Sequence, residues 1–184
     1  MASAETVTVS RLRDFPSPQG ATAAIEAIFW ETSHTSRFPS EADRTAYRDR
    51  WLGRYLEHFP EEAFVALSPE QAIIGYLVGC LVDPASHPLF VDVTYFPLFA
   101  HLTPDYPAHL HINLTAAWRG RGIGKRLIEA FADHAARRGI PGIHVVTGDG
   151  SRNNAFYLSC GFERLAYSSW NGNAIAFFGR RLNP

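Results

Sequence analysis

Cysteine is nearly absent. Cys80 and Cys160 are the only two in 184 residues, too few for a disulfide framework and in no metal-ligand spacing, so both read as buried thiols. An excess of either charge is missing too. Seventeen Lys plus Arg stand against eighteen Asp plus Glu, a net charge of −1, which gives no electrostatic reason to expect nucleic acid or an anionic membrane surface as a partner. No segment reaches the roughly 18 uninterrupted apolar residues of a membrane helix. The opening stretch MASAETVTVSRL carries Glu5 and has no apolar run of signal-peptide length, so the expected location is cytoplasmic. Internal repeats, low-complexity tracts and linkers are also lacking, and the expectation is one domain over residues 1–184.

What is present is a globular composition, 46% hydrophobic, with legible punctuation. VTVSRL (7–12) alternates like a strand. Ser17 as N-cap and Pro18 at N1 open a helix with Ile25, Ile28 and Phe29 on one face. Ser40 and Asp43 resemble a capping box for a second helix, whose face carries Tyr47, Trp51, Leu52, Tyr55 and Leu56 and which ends at Pro60. EAFVAL and AIIGYLVGCLV should pair antiparallel across SPEQ. The Pro-punctuated segment 84–108, with Phe90, Tyr95, Phe96 and Phe99, is long for a connection and suits either a binding loop or core. AHLHINL reads as a strand, a helix follows with Leu127, Ile128, Phe131 and Ala135 on one face and stops at Gly139, and GIHVVTG is a further strand. SRNNAFYLSC makes a short helix, and the last two strands turn at Asn171-Gly172, a dipeptide suited to positive φ.

The most informative stretch is AAWRGRGIGKRLIEAF (116–131), where a strand runs through a glycine-rich turn into a helix. The first amides of a helix lack partners and its dipole favours an anion, so such a turn is a phosphate site when glycine lets the ligand approach. Spacing excludes the Walker loop, and Gly120, Gly122 and Gly124 run G-x-G-x-G rather than G-x-G-x-x-G. Arg119, Arg121, Lys125 and Arg126 surround the glycines, which favours a pyrophosphate over a plain packing turn.

Arg119-x-x-Gly122-x-Gly124, between a strand and an amphipathic helix, resembles the R/Q-x-x-G-x-G/A signature of the GNAT superfamily of acyl-CoA-dependent N-acyltransferases. The order of elements and the later segment RNNAFYLSCGFERL are similar to that superfamily as well. The stretch from HLHINL to GFERL further resembles bacterial acetyltransferases related to the acetyltransferase-like domain of O-GlcNAc hydrolases. The resemblance implies an α/β (α+β) fold, a central mixed, mostly antiparallel twisted sheet flanked by helices. It implies acetyl-CoA as cosubstrate, no metal, and a small-molecule or peptide amine as acceptor, with the protein a monomer or homodimer.

Carried over by position, the resemblance gives the pyrophosphate to the backbone of Gly120, Arg121, Gly122, Ile123, Gly124 and Lys125, with Arg119 beginning the motif and Arg121 and Lys125 adding charge. The backbone at Leu114 would pair with the pantetheine arm, which Asn153 or Asn154 would also bind. The commoner spacing would place that Asn where Gly150 stands, and Asn153 serves equally as a helix cap. Tyr157, just before Gly161-Phe162, matches the tyrosine that protonates the departing thiolate, and a phenol of pKa ~10 keeps its proton near neutrality. For the general base the sequence offers His111, with His109 on the same strand face, and Asp149 in the loop after a strand. The structural alternatives are a satisfied strand histidine and a helix-capping aspartate. A metal is not indicated, because the two histidines find no third ligand. Glu31 and the turn ETSHTSRF, together with the aromatics of 84–108, are candidates for the acceptor side. Two readings from other classes remain beside the enzyme: a catalytically inactive acyl-CoA-binding module, and a nucleotide-binding protein using the same turn.

Overall fold

In the computed structural model, residues 6–33 and 35–182 are described. Seven strands form one sheet in the order β1-β2-β3-β4-β5-β7-β6, where β1 is Thr8–Arg11, β2 Phe64–Leu67, β3 Ile73–Cys80, β4 Ala108–Leu114, β5 Gly142–Gly148, β6 Glu163–Trp170 and β7 Asn173–Arg181. The helices are α1 (Pro18–Thr32), α2 (Glu41–Arg48), α3 (Arg54–His58), α4 (Ile123–Ala136) and α5 (Arg152–Ser159). A π turn, Asp49–Gly53, runs α2 into α3, so four helical rods flank the sheet. The β4–β5 pair is parallel, with Ala108 opposite Ile143 and His109 opposite His144. The pairs β1–β2, β2–β3, β5–β7 and β6–β7 are antiparallel. No helix among the described residues is long and apolar enough to cross a membrane.

The chain packs as two compact units. The first holds Met1–Gly79 and His111–Phe131. Here Ser40 accepts from the Asp43 amide at 3.1 Å and so N-caps α2, while its hydroxyl donates to Asp43 Oδ2 at 2.6 Å, whereas Ser17 precedes α1 without a side-chain cap bond. Leu52 and Tyr55 are buried with Ile25, Leu77, Leu127 and Phe131, and the helix ends at His58 because Pro60 cannot continue it. β2 and β3 make the expected hairpin, Val65 facing Tyr76 in register.

The second unit holds Cys80–Leu110 and Ala132–Pro184. The segment after β3 coils through two 3-10 turns, Pro88–Phe90 and Phe96–Phe99. Phe90, Tyr95, Phe96 and Phe99 are all buried, so these aromatics build core: Phe99 meets Phe177 at 5.4 Å, and Phe90 and Phe96 set their edges against His109 at 4.8 and 5.1 Å. Trp170 Nε1 donates to Thr94 Oγ1 at 2.8 Å and ties the segment to β6. The final hairpin turns at Asn171 (φ 48°) and Gly172 (φ 75°), the two positive-φ positions of a tight turn.

Candidate functional site

In the first unit, β4 ends at Leu114 and a single 3-10 turn, Ala116–Trp118, leads to Arg119. Gly120 and Gly122 then adopt φ of +74° and +75°, a left-handed conformation that a side chain makes costly. A Cβ at either would meet nothing within 4 Å, so the glycines are there for backbone shape and leave open space beside the turn. Buried Ile123, Leu127 and Ile128 fix the start of α4. Its first helical bond runs from Arg126 N to Gly122 O at 3.2 Å, which leaves the amides of Ile123, Gly124 and Lys125 without helical partners. This is a cradle for an anion.

The four cations around it divide. Arg119 Nε donates to Leu114 O at 3.1 Å. Arg121 lies over the Trp118 ring at 4.8 Å, and Lys125 is exposed. Arg126 does not join them: its Nη1 donates to Val7 O at 2.8 Å and holds the segment entering β1. Two of the four cations that the sequence places around the glycines, Arg119 and Arg126, are thus bonded to backbone carbonyls.

His111 lines a cavity of about 150 Å³ in the same unit. Its walls are the rings of Phe29, Tyr47 and Trp51, with Thr32 and Ser33 from the end of α1 and Asn113 from β4. His111 Nε2 is 3.0 Å from Tyr55 Oη, and the ring meets Trp51 and Tyr55 edge-on at 5.5 and 5.1 Å. Of the expected acceptor elements, Thr32 and Ser33 of ETSHTSRF reach this cavity, while His34 lies outside the described residues. Glu31 instead accepts from the Ala116 amide at 3.3 Å. His109 has a different setting from His111, buried among Phe90, Phe96 and His144. Asn113, Tyr47 and Trp51 were not singled out as site residues by the sequence; for Asn113 the available signal was its two-residue spacing from His111 on one strand face.

In the second unit, Tyr157 is 8% exposed and packs against Phe162 and Phe178 with ring centroids at 5.7 and 6.2 Å. Burial, and then the charge on Cys160, raises its phenol above the ordinary tyrosine value. It therefore stays protonated. Its hydroxyl makes no hydrogen bond to another described residue. Asp149 Oδ1 accepts from Arg164 Nη1 at 2.9 Å and from the Gly150 amide at 3.1 Å. In the amide orientation that satisfies both its ends, Asn154 donates to Ser151 Oγ (2.9 Å) and Gly148 O (3.0 Å) and accepts from Gly150 N (2.9 Å). Asn154 is thus spent on its own loop, whereas Asn153 is exposed.

A strand, a left-handed glycine turn and a helix with open amides coincide with the profile of the Acetyltransferase (GNAT) family, which matches residues 22–162. The chain belongs to that family. It is an N-acetyltransferase, and the GNAT fold takes its acetyl group from acetyl-CoA. Solved structures share the fold. SsHAT matches with a TM-score of 0.74 at 24% identity, over 96% of this chain and 98% of that one. A GCN5-related N-acetyltransferase from Kribbella flavida matches at 0.64 and 18%, over 98% and 100%. The NatC complex bound to Gag peptide and CoA contains a chain matching at 0.60 and 18%, over 96% and 99%.

Proposed function

We propose that the protein moves an acetyl group from acetyl-CoA to the primary amine of a small-molecule or peptide acceptor by direct attack, residues 1–184 acting as one acyltransferase domain. The observation that carries this reading is the turn at Gly120 and Gly122, with three unpartnered amides opening α4. In it, the amides from Gly120 to Lys125 hold the pyrophosphate, and Arg121 and Lys125 supply charge. Arg119 shapes the loop through Leu114 O. The pantetheine arm meets the Leu114 backbone and Asn153, the asparagine that its own loop leaves exposed.

Bound acetyl-CoA supplies a thioester whose C–S bond breaks as the new C–N bond forms. The acceptor must attack as a neutral amine, and His111, at the wall of the cavity, takes the proton that its nitrogen sheds. Asp149 is engaged by Arg164 and the Gly150 amide, so its role in this scheme is to hold the loop after β5. Tyr157 holds its proton at every physiological pH and delivers it to the departing sulfur, then recovers one from solvent. A cytoplasmic monomer or homodimer with neither nucleic acid nor membrane as partner is part of the same proposal, on the near-zero net charge. So is the subgroup resemblance to acetyltransferases related to the acetyltransferase-like domain of O-GlcNAc hydrolases, which rests on sequence.

Thiol release measured with acetyl-CoA across a panel of primary amines tests the proposal. Amine-dependent release supports it. Coenzyme A binding by calorimetry without release from any amine would mean an acyl-CoA-binding module instead.

A further inference from the structure

The cavity beside His111 is more selective than its position alone requires. We propose that it is the acceptor site and that its acceptor is a primary amine on a short arm attached to one uncharged ring, with Asn113 Oδ1 accepting a hydrogen bond from that amine. This rests on the acetyltransferase reading above and adds the class of acceptor to it.

Size comes first. A volume of about 150 Å³, partly open to solvent, has room for one six-membered ring with its arm. Its walls suit that occupant, since Phe29, Tyr47 and Trp51 offer ring faces and edges, which reward a planar guest beyond simple area burial. Charge is the second filter. Among its described lining residues there is no Asp or Glu to hold a second ammonium and no Lys or Arg to hold a carboxylate. The second ammonium of a polyamine or the carboxylate of a free amino acid would find no oppositely charged partner among these residues.

The polar groups then decide where the amine sits. Thr32 Oγ1 and Ser33 Oγ both donate back to α1, to Ile28 O and Phe29 O at 2.8 Å. Asn113 is arranged differently. Its Nδ2 donates to Tyr76 Oη at 2.8 Å, and Tyr76 is 1% exposed. In this orientation Oδ1 is the amide's remaining acceptor. Alternation along β4 puts residues 111 and 113 on one face, so the Asn113 carbonyl holds one amine hydrogen while His111 removes another. The rings also attract the ammonium form before it loses its proton.

The test uses wild-type protein with 2-phenylethylamine, spermidine and a short peptide with a free N-terminus. Thiol release is followed with acetyl-CoA, and calorimetry follows 2-phenylethylamine added to the coenzyme A-loaded protein. The expected results are a kcat/KM for 2-phenylethylamine at least about tenfold above the other two, and heat of binding from it. Asn113→Ala should raise KM for the amine about tenfold with KM for acetyl-CoA unchanged, a split that a purely structural asparagine would not produce. Preference for spermidine or the peptide, absence of binding heat, or an unmoved amine KM in Asn113→Ala overturns the assignment and leaves acetyl transfer standing. Failure to bind acetyl-CoA at all removes the underlying reading, and this one with it.

Discussion

Arg119 turns back on the strand that precedes it, its Nε donating to Leu114 O at 3.1 Å. The first residue of the signature therefore closes the loop to which the pyrophosphate is assigned in the proposed function, in addition to bringing charge. Arg119→Ala should weaken coenzyme A binding about tenfold by calorimetry, and Arg119→Gln, which keeps a donor without the charge, should recover part of the loss. Equal and unchanged affinities in both variants would show that the loop holds its shape without this bond.

At Gly122 the constraint is conformational. With φ at +75° and open space where a Cβ would go, Gly122→Val meets no steric wall; it must instead hold a β-branched residue in the left-handed region, at a cost of roughly 1–2 kcal/mol. The turn should relax away from that geometry, so coenzyme A affinity drops while the far-ultraviolet spectrum stays that of the wild type. A folded variant that binds coenzyme A normally would remove the pyrophosphate assignment.

Tyr157→Phe keeps the packing against Phe162 and Phe178 and deletes only the hydroxyl, the proton donor of the proposed mechanism. Acetyl transfer should slow by roughly 10²–10⁴ in kcat, the range of general acid–base contributions, with little change in acetyl-CoA affinity. Burial raises the phenol, so the wild-type rate should show no alkaline limb from it below its ordinary titration range. A wild-type kcat in Tyr157→Phe would make the residue one of packing and give the proton to water.

His144 gives a stability prediction. It is fully buried, stacks on Phe177 at 4.7 Å and bonds Tyr106 O through Nδ1, and burial pushes it from 6.5 down to about 4. Nε2 has no partner among the described residues. The unfolded chain thus takes up a proton before the native one does as pH falls. The stability that neutral His144 contributes is complete above pH ~6.5 and is lost between there and pH ~4, by up to ~3 kcal/mol. Denaturant melts at pH 7.5 and 4.5 measure it, and His144→Asn, which keeps a donor near Nδ1, should flatten the difference. An equally steep loss in that variant would assign the acid sensitivity to other groups.

Local chemistry was readable in the sequence. The bounds of β4 and β5, the N-cap at Ser40 and the Asn171-Gly172 turn appear where residue type and period put them, because each depends on near neighbours. Long-range partners were not readable. Nothing near Arg126 announces that it bonds Val7 O, and nothing in 84–108 says that its aromatics meet Phe177 and His109 rather than a ligand. The same holds for Asn113, which lines the cavity and bonds Tyr76, a residue 37 positions away.

The π turn between α2 and α3 bears on how this helix tolerates change. Arg54 N reaches Asp49 O, five residues back, so the rod carries one residue more than a regular helix of that length. Deleting a single residue from Asp49–Gly53 would let the rod become ordinary α-helix and satisfy its backbone at least as well. The wider turn takes up its extra residue at a smaller rotation per residue than the about 100° of an α-helix, so that deletion would leave Tyr55 close to its present phase against His111. Asp49–Gly53 is thus the place where the rod can lose one residue and keep the phenol beside the histidine, whereas a deletion within α3 ahead of Tyr55 would rotate it away.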